Sequence, residues 1–107
     1  MKWTSKAKFA RYAPRKVAQL LDVIRNKPVK EAFSMLNFAQ KSAAELIGKT
    51  LKSAVANSGR LKNPEGLIVK ECFVCQGPAL KRFRASAYGR AATYKRKTCH
   101  LTITVSD

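Results

Sequence analysis

Acidic side chains are scarce in this chain: six Asp and Glu stand against 22 Lys and Arg, and no acid occurs between Glu71 and Asp107. Paired carboxylates for general acid–base work are absent, and so are a glycine-rich phosphate loop and a nucleophile motif, which removes the common enzyme signatures. The single histidine, His100, has no acid near it in sequence to orient it as a base. No apolar run approaches the roughly 20 residues of a membrane-spanning helix. The start Met1-Lys2-Trp3-Thr4-Ser5 lacks the apolar centre of a secretion signal. These absences predict a cytoplasmic, non-catalytic protein without a cofactor.

What is present is one domain's worth of apolar residues and a large excess of positive charge. The 107 residues are 46% hydrophobic, enough for one core over residues 1–107, and the formal net charge is +16. A folded chain with that charge repels itself unless a partner supplies the opposite sign. Residues 1–30 hold nine basic residues and only Asp22, while 31–80 hold six against Glu31, Glu45, Glu65 and Glu71. Between Gly77 and His100 stand Lys81, Arg82, Arg84, Arg90, Lys95, Arg96 and Lys97 with no acid. Seven like charges so close together point to a polyanion, and nucleic acid is the first candidate.

Periodicity predicts the elements. Val17, Leu20, Leu21 and Ile24 recur at helical spacing between Pro14 and Asn26-Lys27-Pro28, giving a helix over 14–25, with Arg15, Lys16 and Arg25 off the stripe and available. A short helix over 29–36 buries Ala32, Met35 and Leu36. A longer one over 41–58 presents Ala43, Ala44, Leu46, Ile47, Leu51, Ala54 and Val55, and Ser58-Gly59 ends it. Alternation over 99–106 marks a half-buried strand whose partner is 67–76. A strand over 6–12 adds to the same sheet, with Ala7 and Phe9 on one side and Lys6, Lys8 and Tyr12 on the other. A turn at Tyr88-Gly89 pairs Ala87 with Arg90 and Gln76 with Leu101, so the two strands continue outward as a long hairpin arm over about 78–99. The fold class is α+β: three helices packed on a small antiparallel sheet, with a long protruding β-hairpin. The core is expected from Val17, Leu20, Leu21, Ile24, Leu46, Ile47, Leu51, Val55, Phe73, Leu101 and Ile103.

Cys72, Cys75, Cys99 and His100 offer a zinc-like set of ligand types. On strands, residues three apart or adjacent point to opposite faces, so the four cannot converge without breaking the ladder. Reduced thiols are expected instead, with Cys99 and one other in the core, and no metal.

Several segments resemble the ribosomal protein L22 family: Ala10-Arg11-Tyr12 with Pro14-Arg15-Lys16, Ser53-Ala54-Val55-Ala56-Asn57, Val69-Lys70, Gly77-Pro78-Ala79-Leu80-Lys81-Arg82, Gly89-Arg90-Ala91, and Lys95-Arg96-Lys97 with Thr98-Cys99-His100-Leu101-Thr102. The resemblance runs in order along nearly the whole chain. It departs at Cys75-Gln76, where relatives usually carry Asp-Glu, at Ala85-Ser86, where they often carry Pro-Arg, and at Cys99, where Ser is usual. The resemblance implies an α+β body bound to 23S-type ribosomal RNA beside neighbouring large-subunit proteins, without self-association. It also implies a hairpin lining the exit tunnel next to the nascent polypeptide, its wall built from Ser86, Ala87, Tyr88, Gly89, Arg90 and Ala91. Its setting would be the cytoplasm, or an organellar matrix or stroma.

Two basic groups are therefore expected at RNA: Lys6, Lys8, Arg11, Arg15 and Lys16 near the first helix, and Lys81, Arg82, Arg84, Arg90, Lys95, Arg96 and Lys97 on the arm. Phe83, Tyr88 and Tyr94 interleave with the latter and either stack on bases or pack across the ribbon. His100 reads as strand-surface packing or an RNA contact. Asn57 matches the family motif, and it equally reads as a helix C-terminal residue. The competing functions are a free-standing DNA-compacting or RNA-chaperone protein, for which a long asymmetric hairpin has no evident use, and an RNA-modifying enzyme, which lacks its residues.

Overall fold

The computed structural model describes residues 1–39, 42–60, 62–85 and 91–107, with side chains of 80–96 outside the description. The elements run β1 (Lys2–Ala10), α1 (Pro14–Ile24), α2 (Val29–Phe38), α3 (Ala43–Asn57), β2 (Ile68–Gln76), β3 (Leu80–Ala85), β4 (Ala91–Arg96) and β5 (Cys99–Ser106). β1, β5 and β2 form an antiparallel sheet in that order, and β3 and β4 form a second, two-stranded one. The three helices cover one face of the three-stranded sheet, which bears out the α+β expectation.

Each helix is shaped by its apolar stripe. α1 starts on Pro14, whose missing N–H costs nothing in a first turn, and buries Val17, Leu20, Leu21 and Ile24. Its end is set by Asn26 in the left-handed region (φ 63°), a conformation Asn tolerates better than most residues. The backbone then runs along the outer edge of β2: Asn26 N–H donates to the Val69 carbonyl, Val69 N–H to Lys27, and Val29 N–H to Leu67. An otherwise open sheet edge is thereby occupied. α2 runs two residues further than expected and buries Val29, Ala32 and Leu36, while Met35 is half-buried. α3 supplies Ala43, Ala44, Ile47, Leu51, Ala54 and Val55, and packs against β1 and β5, its alanines permitting close approach. Thr50 is buried there too, its hydroxyl answered by the Leu46 carbonyl at 2.9 Å. Leu46 itself is only half-buried, on the rim of the core rather than within it.

Two bulges decide which side chains face the helices. In β1 the pairing with β5 shifts between Ala7 and Ala10, and Phe9 takes φ 56°. β1 thus begins at Lys2 and ends at Ala10, and Phe9 does not share the inner face with Ala7 but is 63% exposed. In β2 the pairing shifts between Val69 and Glu71. One extra residue reverses side-chain parity, so Cys72 is buried and Phe73, expected in the core, is 47% exposed. The hairpin register differs as well: β3 and β4 pair with Leu80 opposite Arg96, and across 77–79 and 97–98 the pairing slips by one residue more, so Gln76 pairs with Cys99, not Leu101. Ala87 and Arg90, the other pair expected, lie outside the described residues.

The hairpin is not one continuous ribbon. β2 gives way to β3 across 77–79, and β4 to β5 across 97–98, with the Gly77 N–H to Thr98 carbonyl bond (2.9 Å) bridging the gap. β3 and β4 pair Leu80 with Arg96, Lys81 with Lys95, and onward to Ala85 with Ala91. The molecule measures 60 × 24 × 20 Å, with a radius of gyration of 16.6 Å against about 13 Å for a compact chain of this length.

Candidate nucleic-acid interface

Lys6 and Lys8 alternate outward along β1, on the sheet face away from the helices. Arg11 lies in the following turn, and Arg15 and Lys16 occupy the first turn of α1; all five are exposed. That first turn has no side-chain cap on Ala13 and no acidic residue. Cations beside the positive end of a helix dipole are unfavourable in isolation and become favourable when an anion binds between them.

The carboxylates are engaged elsewhere. Asp22 binds Arg25 at 2.7 Å, Glu45 binds Lys49 at 3.1 Å, Glu65 binds Lys30 at 2.8 Å and Glu71 meets Lys2 at 3.8 Å. Asp107 takes both the chain's amino terminus at 2.8 Å and Arg60 at 3.3 Å. The Lys30 hydrogen bond and charge hold the Glu65 carboxyl below its usual range, and the amino terminus, with Arg60, does the same for Asp107. Five of the six acids are thus paired, none of them with Lys6, Lys8, Arg11, Arg15 or Lys16. Arg25, expected to be available, is not: it also donates to the Cys72 carbonyl at 2.9 Å, tying α1 to β2. The Asp22 hydrogen bond raises its pKa further.

The other expected site residues are placed as follows. Asn57 ends α3 and donates its side-chain amide to the Thr4 carbonyl at 3.0 Å, so it fastens the helix to β1. Lys97 is exposed in the return to β5. Lys81, Arg82 and Arg84 lie on β3, Lys95 and Arg96 on β4, where Ala91 is the first residue. Ser86, Ala87, Tyr88, Gly89 and Arg90 lie outside the described residues. Lys97 lies beside the Gly77–Thr98 junction that joins the arm to the body.

His100 is half-buried, and its Nδ1 accepts the Phe9 N–H at 3.0 Å, which places the ring proton on Nε2. The two rings meet edge to face with centroids 4.8 Å apart. His100 therefore braces Phe9 at the β1 bulge through two contacts. Sequence reasoning missed Phe9 and Phe73 on this outer face. One signal was legible: carrying the Leu67 and Val69 alternation straight on would bury Glu71, so the strand had to change parity before Phe73.

Among the described residues no three His, Cys, Asp or Glu cluster as a metal site would require. Cys72 and Cys99 are buried and Cys75 exposed, as the core expectation has it, and all three are free thiols. Desolvation raises the Cys72 and Cys99 pKa values, so neither is a reactive thiolate. No described helix is long and apolar enough to cross a membrane.

Comparison with known proteins extends the picture. The family model for ribosomal protein L22p/L17e matches residues 5–106. Curated relatives named large ribosomal subunit protein uL22 include those of Endomicrobium trichonymphae, 52% identical over 94% of this chain and 88% of the relative, and Clostridium tetani, 47% identical over 94% and 93%. That of Syntrophus aciditrophicus is 43% identical over 94% of each. With a match that spans both bulged strands, all three helices and the hairpin, the chain belongs to the ribosomal protein L22p/L17e family, in its bacterial type.

Proposed function

We propose that this chain is a single-domain structural constituent of the large ribosomal subunit in the cytoplasm, monomeric outside it, that binds 23S-type rRNA and contacts neighbouring large-subunit proteins. The uL22 names of its relatives support the assembly. The unpaired basic stretch from Lys6 to Lys16, in a chain five of whose six acids are already engaged, carries the RNA reading. The arm supplies a second cationic group at Lys81, Arg82, Arg84, Arg90, Lys95, Arg96 and Lys97, and its end, residues 86–91, lines the nascent-peptide exit tunnel. Binding, not chemistry, is its role, and His100 is engaged in holding Phe9 rather than poised as a base.

The test is a titration of the full chain with a 23S-type rRNA fragment across salt concentrations. Each phosphate neutralised contributes roughly 0.7 to 0.9 to the slope of log affinity against log salt. Replacing Lys6, Lys8, Arg11, Arg15 and Lys16 together by Gln should lower that slope by about 4 and weaken binding at every sequence. An unchanged slope would show these residues to be ordinary solvated surface.

A further inference from the structure

On the outer face of the sheet, cross-strand pairing aligns Lys6, Thr102 and Phe73 in one row, and the next row brings His100 opposite Cys75 beside the Phe9 bulge. Between them lies an open depression of about 460 Å³ lined by Lys6, Lys8, Phe9, Phe73, Cys75 and His100. Two half- to two-thirds-exposed phenylalanines on one small surface are unfavourable in water. Phe9 reaches it only because a bulge puts a bulky residue at φ 56°, a conformation such residues rarely adopt, and His100 holds it there by a hydrogen bond and an edge-to-face contact. A bulge that re-aims an aromatic outward, against both strain and hydrophobicity, is a feature that binding would repay. The nearby cations are Lys6 and Lys8, neither paired with a carboxylate; the nearest acid along β2, Glu71, is turned to Lys2.

We infer that this face is a stacking platform for an unstacked, single-stranded RNA nucleotide, with Phe9 and Phe73 receiving the base and Lys6 and Lys8 the flanking phosphates. The inference rests on the RNA-binding function proposed above and goes further, since duplex RNA keeps its bases stacked and offers an aromatic pair nothing to receive. An apolar protein segment would use the phenylalanines but not the two unpaired lysines beside them, so charge complementarity favours RNA.

The full chain is titrated with an oligouridine octamer and with a blunt RNA duplex of equal charge. Phe9→Leu and Phe73→Leu, which keep apolar bulk and remove the ring, should each weaken octamer binding about 5- to 150-fold, the range of one lost base stack, and duplex binding less than about twofold. Alkylation of Cys75 by iodoacetamide, read by peptide mass, should slow when octamer is bound, while the buried Cys72 and Cys99 stay unlabelled in either state. If Phe9→Leu loses its melting transition, Phe73→Leu, which leaves the strained position intact, decides alone. Unchanged octamer affinity, equal losses on octamer and duplex, or unprotected Cys75 would overturn the platform, with salt-dependent wild-type binding still supporting the wider function. Wild-type failure to bind either RNA would overturn both. Leucine variants that keep RNA affinity yet lose a neighbouring protein in reconstituted subunits would assign the face to protein and overturn the inference.

Discussion

Gly77 sits where β2 hands over to the outer hairpin, and a methyl group there has nowhere to go. A Cβ built on it would lie 2.6 Å from Thr98 Oγ1 and 3.2 Å from His100 Nε2. Thr98 is a short, buried side chain whose hydroxyl donates to the Pro78 carbonyl, so it cannot swing aside as a lysine tip would. Gly77→Ala must therefore push the hydroxyl off Pro78 or part the Gly77 N–H from the Thr98 carbonyl. Overpacking of this kind costs about 1 to 3 kcal/mol, and a lost hydrogen bond about 1 kcal/mol within it. For a domain of this length each kcal/mol lowers Tm by roughly 4 to 8 °C. Calorimetry should show a drop of that order in Gly77→Ala. Thr98→Ala alone should cost about 1 kcal/mol by leaving the Pro78 carbonyl without its partner. The double variant should lose less than the sum, because the oxygen that clashes is gone. Additive losses, or an unshifted Tm in Gly77→Ala, would refute the reasoning and show that the junction is loose enough to absorb the methyl.

Leu51→Ala, at a fully buried position on α3, should cost about 2 to 5 kcal/mol by denaturant melting, and Leu46→Ala on the half-buried rim distinctly less. Burial raises the Cys72 and Cys99 pKa values, so the thiols' contribution is complete below the ordinary thiol value of about 8.5 and is lost as pH rises through the folded-state values. The denaturation midpoint should accordingly fall on the alkaline side, and Cys72→Ala with Cys99→Ala should flatten that limb whatever they cost at neutral pH. Replacing residues 82–96 with a two-residue turn should leave cooperative melting intact, since the described core lies in the helices and the three-stranded sheet; loss of the transition would make the arm part of the core.

The sequence by itself determined the parts whose signal is local. The stripe of Val17, Leu20, Leu21 and Ile24 could form only a helix with that face inward, and the alternation of Cys99, Leu101, Ile103 and Val105 only a strand with that face buried. The charge imbalance, which points to a polyanionic partner, is a property of composition that folding does not alter. Tertiary structure alone decided everything that depended on register. A bulge leaves almost no mark in composition, because it is set by how three strands and the helices above them fit together, yet one inserted residue reverses every side chain beyond it. That is why Phe9 and Phe73, inward by simple alternation, stand on the outer face beside Lys6 and Lys8. Charge pairing was equally invisible: Arg25 looks free along the helix until β2 brings the Cys72 carbonyl to it. Asn57 likewise reads as a helix end until packing sets the Thr4 carbonyl beside its amide. Local sequence fixes which residues face the core where an element stays regular; the meeting of elements distant in the chain decides where a strand bulges and which polar groups are left free to bind a partner.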